Sequence, residues 1–140
     1  MNEIKDQEPF RVSFRDMTVF TPGLGDCFRA CVATIFDFPI EDMPNFWEQT
    51  QDPHEFWMLV DVWVRGHLHH TCLTFSLSPE HTYMLADVVC IATGNTKRTT
   101  EEHCVVWKNG IVHDPHPSRK GIRKPEVFTI FIPVKGAPHV

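Results

Sequence analysis

Two apolar runs, HCVVW and IVHD, flank Asn109-Gly110 across residues 103–114, and no other stretch restricts the fold as tightly. An Asn-Gly pair between such runs is the strongest short-range signal for a hairpin closed by a two-residue type I′ turn. That turn sets a register in which Lys108 faces Ile111, Trp107 faces Val112, Val105 faces Asp114 and His103 falls opposite His116. Side chains alternate along a strand, so His103, Val105, Trp107, Val112 and Asp114 share one face. Cys104, Val106, Ile111 and His113 take the other. His103 and Asp114 become diagonal neighbours with backbones roughly 7–8 Å apart, a separation that suits an imidazole N–H meeting a carboxylate. Asp114 would then fix the tautomer of His103 and leave its other ring nitrogen free to act as a base.

A partner for that base lies far upstream, in GLGDCFRAC at residues 23–31. TPGLGD (21–26) reads as a turn from its Pro and Gly content, and CFRACVATIFDF reads as a helix. Cys27, Cys31 and Ile35 fall at helical spacing, as do Ala30 and Thr34, and Pro39 stops the helix. Cys27 thus opens a helix, where the positive end of the dipole favours thiolate, and a neighbouring imidazolium favours it further. A cysteine on a helix with His and Asp on strands is the arrangement needed for nucleophilic attack on a carbonyl. Cys27 would attack, His103 would protonate the leaving group, and the first helical N–H groups would stabilise the oxyanion. Cys31 and Cys104 read as small core residues. A zinc site drawing on Cys27, Cys31, His103, Cys104, His113 and His116 lacks the two tight ligand pairs usual for structural zinc, so no metal and no cofactor is expected.

The rest of the chain places this pair in a fold. Residues 11–20 read as a short strand or extended approach, and 39–50 as one or two turns punctuated by proline. DPHEFWMLVDVWVRGHL (52–68) reads as the best helix, capped by Asp52, with Pro53 at its first position and Gly66 at its end. Trp57 and Trp63 lie six residues apart on it, so they do not share one narrow stripe. Strands follow at 67–77, 87–93, 103–107, 111–114 and 126–134, with His67, His69 and His70 at an exposed strand start. Helices first and strands after give an α+β class with a largely antiparallel sheet. The 140 residues make one domain, with residues 1–10 a loose polar lead.

Composition closes off several functions. Net charge is −5, which disfavours nucleic acid, although Lys and Arg outnumber acids in the second half, eight to six. No apolar run is long enough to span a bilayer, and the polar start MNEIKDQEPF has no signal-peptide core, so no membrane partner is expected. Five cysteines, an odd number, then read as reduced thiols of a cytoplasmic protein. The basic stretch HDPHPSRKGIRK (113–124) is either a proline-stiffened loop with solvated charges or a substrate-orienting loop. In the second reading Asp26, His116, Ser118 and Arg119 are substrate-binding candidates, Arg119 for a carboxylate or phosphate. GNTKRTTEE (94–102) is either the opposite wall of a cleft or a surface loop.

GDCFRAC followed by HCVVW, NG and VHDPHPS resembles the papain-like cysteine peptidases in compact form. The layout is similar to bacteriocin-leader-processing peptidases and to small bacteriophage-encoded proteins that carry a GDC…AC and an H-V-V…VHDPHPS block. The resemblance covers roughly residues 20–120 and implies Cys27 as nucleophile, His103 as general base and acid, and Asp114 as orienter. Papain-like enzymes usually place an oxyanion-binding glutamine shortly before the cysteine. Thr21 stands there instead, so the Thr21 hydroxyl and the N–H of Cys27 are the oxyanion candidates. The implied substrate is a peptide, a protein or a small amide, cleaved or transferred at an amide, isopeptide or thioester bond in a host cytoplasm. Two other readings stay open: a catalytically silent papain-like module that binds or inhibits a host protein, and a small zinc or redox protein.

Overall fold

The computed structural model describes residues 13–97 and 101–135. The expected loose lead, 1–10, lies outside them. Helix α1 (Cys27–Phe36) begins at Cys27 and ends at Asp37, which takes a left-handed conformation with its N–H on the Ala33 carbonyl. Two short 3₁₀ turns, Ile40–Asp42 and Phe46–Glu48, carry the proline-punctuated segment to helix α2 (Pro53–Leu68). Asp52 caps α2 by accepting a hydrogen bond from the His54 N–H at 3.0 Å. The helix ends at Leu68, the last residue of the stretch expected to be helical, with Gly66 in its final turn and a left-handed His69 after it. Asp61 and Arg65 on its last turns bond Thr71 and the Cys72 N–H, tying the helix end directly to the next strand.

Five strands follow: β1 (His70–Ser76), β2 (Cys90–Asn95), β3 (Glu102–Trp107), β4 (Ile111–His113) and β5 (Val127–Pro133). They form one sheet in the order β1-β5-β2-β3-β4, and every neighbouring pair is antiparallel. The class is therefore α+β, with α1 packed on the sheet chiefly against β3. A 3₁₀ stretch, Pro79–Leu85, bridges β1 and β2. It is absent from the sequence reading because it shows neither helical periodicity nor strand alternation.

Period-two alternation sorts the sheet into two apolar faces. Ile91, Cys104 and Val106 pack with Phe28, Val32, Phe56, Val60 and Val64 from the helices. Cys90, Ala92, Val105 and Phe128 point the other way and pack with Leu85 and Ile122. Trp57 and Trp63 both lean on the helix-side core, Trp57 edge-on to Phe28 and Trp63 against Phe38. Among the described residues no helix is long and apolar enough to cross a membrane.

The β3–β4 hairpin departs from the expected two-residue turn. Trp107 pairs with Ile111, and a register shift between Val106 and Trp107 absorbs the extra residue. The Lys108 N–H closes on the Gly110 carbonyl at 2.8 Å, with Asn109 and Gly110 both at positive φ. The Asn109 carboxamide also exchanges two hydrogen bonds with Asp87, an external anchor that a short turn read in isolation does not include. Beyond the bulge Val106 pairs with His113, so the alternation that brings His103 and Asp114 together survives.

Candidate active site

Asp26 decides how Cys27 is presented. It occupies the position before α1 but makes no side-chain cap to the helix. Its buried carboxylate turns back and accepts hydrogen bonds from the Thr18 N–H (2.8 Å), the Thr18 hydroxyl (2.8 Å) and the Val19 N–H (2.9 Å). This bonding corrects the expectation that Asp26 contacts substrate: at 1% exposure it anchors the extended segment 13–20 beside the start of the helix. The first N–H groups of α1 are left without a side-chain cap at the point where Cys27 stands.

His103, at the start of β3, is buried, and its Nε2 meets Asp114 Oδ1 at 2.6 Å. Asp114 follows directly on β4 and is held by the loop after it. Its Oδ1 also accepts from the His116 N–H at 2.9 Å, and its Oδ2 accepts from the Gly121 N–H at 2.7 Å. Burial opposes charge on Asp114, but these donors outweigh it and hold the carboxyl at about 2. Burial likewise opposes a charged imidazole, yet hydrogen bonding to Asp114 and Cys27 outweighs it and lifts His103 to about 9. With Nε2 committed to Asp114, Nδ1 is the nitrogen left to exchange a proton with Cys27.

The Cys27 thiol stands within side-chain hydrogen-bonding reach of both Cys104 and His103. Cys104 and burial push it well above the usual thiol range, against the downward pull of His103. This corrects the expected thiolate: the helix terminus and the imidazole do favour charge, but a second buried thiol at the same point opposes them. Cys104 is a core residue as expected, and its contact with Cys27 was missed because strand alternation sets it on the face opposite His103. At the start of β3 both side chains reach the sulfur.

Cys27, His103 and His116 line a cleft of about 400 Å³ with Met17, Phe20, Trp47, Gln51, Thr96, Glu101 and Glu102. The described residues of 94–102 thus contribute one wall. His116 stands edge-on to His103 (ring centroids 6.1 Å) and to Phe20 (5.5 Å), and its Nδ1 accepts the Ser118 N–H at 3.0 Å. Ser118 lines instead a cavity of about 20 Å³ with His103, Asp114 and Gly121. Arg119 and Thr21 line neither space. Arg119 is engaged by Asp16 and by backbone carbonyls, and Thr21 sits exposed in a turn, its carbonyl accepting the Leu24 N–H. Gln51 is the carboxamide in the cleft, its Nε2 donating to the Trp47 carbonyl at 2.6 Å. A search upstream of the cysteine does not reach it, because it arrives from the far end of the 3₁₀ segment.

Among the described residues no cluster of three or more His, Cys, Asp or Glu side chains is arranged to hold a metal. All five cysteines are free. No protein-family model matches the chain, and neither the curated proteins nor the solved structures compared with it give a match.

Proposed function

We propose that the chain is a papain-like thiol-dependent acyl hydrolase or transferase acting through an acyl-enzyme at Cys27. The observation that carries this reading is the buried 2.6 Å His103–Asp114 bond beside a cysteine that opens a helix and lines a cleft. Once His103 is unprotonated, which its lifted value of about 9 places on the alkaline side of neutrality, Nδ1 takes the Cys27 proton as sulfur attacks the substrate carbonyl, and Asp114 steadies the resulting imidazolium. The carbonyl oxygen gains charge, and the uncapped N–H groups at the start of α1, Cys27 among them, are the donors offered to it. Collapse of the tetrahedral species breaks the bond to the leaving group, which receives its proton from His103. Water or a second nucleophile, deprotonated by His103, then attacks the thioester and returns Cys27 as a thiol.

The Met17, Phe20 and Trp47 wall suits an extended peptide or a small amide with an apolar group beside the scissile carbonyl. Five free cysteines fit a reducing cytoplasm, and the likeness to phage-encoded proteins points to a host's. A second reading, a silent module of the same fold that binds a host protein, is favoured by one observation: Cys104 and burial hold Cys27 as a thiol. Incubation with p-nitrophenyl acetate separates the two. An enzyme gives a burst of nitrophenol and an acetyl group on Cys27 by peptide mass spectrometry, both lost in Cys27→Ala and His103→Ala. A burst that survives either substitution, or no acetylation at all, rejects the enzyme reading.

A further inference from the structure

The triad comes from two distant parts of the chain, and one extended strap touches both. Thr18 and Val19 are held by Asp26, the residue before the nucleophile. A few residues earlier the same strap runs along the loop that carries Asp114. Phe14 stacks on His113 (4.5 Å, 15°), and the Met17 N–H donates to the Pro115 carbonyl at 3.1 Å. Between them, Asp16 Oδ1 meets His113 Nε2 at 3.0 Å and Arg119 Nη1 at 2.7 Å, and Asp16 Oδ2 accepts from Arg119 Nη2 at 2.9 Å. Arg119 Nη1 also donates to the Asp114 carbonyl at 2.7 Å and the His116 carbonyl at 3.1 Å. The fork therefore closes on the backbone of the residue whose carboxylate orients His103. Arg119 takes a left-handed backbone, φ 54°, an uncommon conformation for a residue with a side chain.

We infer that Asp16 is a positioning residue for the triad: through Arg119 and His113 it fixes the loop at Asp114 relative to the strap that anchors the start of α1. The inference rests on the triad reading above. The ion pair is half exposed, 49% for Arg119 and 41% for Asp16, and such pairs add little to global stability. What Asp16 supplies is placement, and small misplacements of a catalytic group cost far more in rate than in stability.

The test is Cys27 alkylation by iodoacetamide, read by peptide mass spectrometry from neutral to alkaline pH, together with NMR titration of His103. Wild type, Asp16→Asn, Asp16→Glu and His103→Ala are compared, with thermal unfolding as the control. Asp16→Asn, which keeps shape and loses charge, is expected to slow Cys27 about tenfold and to move the His103 midpoint down from about 9. Asp16→Glu recovers part of both. If Asp16→Asn does not fold, Arg119→Lys, which keeps charge and loses the fork, is read in the same two ways. A lower melting temperature with unchanged rate and unchanged His103 midpoint overturns the inference while leaving the triad standing, provided His103→Ala slows Cys27. An unchanged rate in His103→Ala overturns the triad itself, and the positioning role with it.

Discussion

At the scale of single residues the site is a balance between groups that want opposite charge states. Asp114, held at about 2, is ionised across the neutral range and keeps His103 protonated up to about 9. Both shifts are also statements about stability. His103 is raised from 6.5, so its contribution is fully present below about 6.5 and is lost as pH climbs through about 9. Asp114 is depressed, so its contribution is present above the ordinary carboxylate value and is lost as pH falls through about 2. Thermal unfolding should therefore show wild type losing on the order of 3 kcal/mol between neutral and alkaline pH, a loss largely absent from Asp114→Asn. Parallel declines in the two proteins would mean that the His103–Asp114 bond does not govern this limb. The His103–Asp114 pairing and the place of Cys27 at the start of α1 were legible in the sequence because strand alternation and helix position are local rules. The protonation state of Cys27 was not, because Cys104 enters it through packing that alternation alone does not predict.

At the scale of elements, β2 and β3 hold His103 in place. Gly94 on β2 pairs with His103 on β3, and a side chain at Gly94 would run into the backbone carbonyl of Lys124. The segment over Gly94 is fixed from both ends, by the Arg123 N–H on the Asn95 carbonyl and the Glu126 N–H on the Thr93 carbonyl. Gly94→Ala should push β2 and that segment apart, lowering the melting temperature and slowing Cys27 alkylation together. A variant with wild-type stability and wild-type rate would show that the close approach is not needed. The strands and both helices were legible from periodicity and from Asp52-Pro53, whose cap forms as expected. So was the end of α2 at Leu68; the Asp61–Arg65–Thr71 bonds that tie it to β1 were not, because they join residues on two elements. The hairpin turn failed for the same reason, since Asn109 answers to Asp87 as well as to its own strands.

At the scale of the whole molecule, the sheet separates two apolar cores, and the cleft opens where the start of α1 meets the start of β3. The α+β class followed from the order of elements along the chain, because a run of helices before a run of strands segregates the helices to one face of an antiparallel sheet. The cleft did not follow, because Met17, Phe20, Trp47, Gln51 and Glu102 converge on Cys27 from three separate segments. Arg119 shows how far a residue read as substrate-facing can be redirected by one partner, here Asp16, more than a hundred positions away. The central claim is that Cys27 and His103 act as one proton-sharing unit. It is tested most directly by the alkylation rate of each of the five cysteines against pH, by peptide mass spectrometry, in wild type and His103→Ala. The account predicts that removing His103 slows Cys27 and moves its alkylation limb to higher pH, because the one group pulling the thiol down is gone. A Cys27 that reacts equally fast without His103 would contradict it.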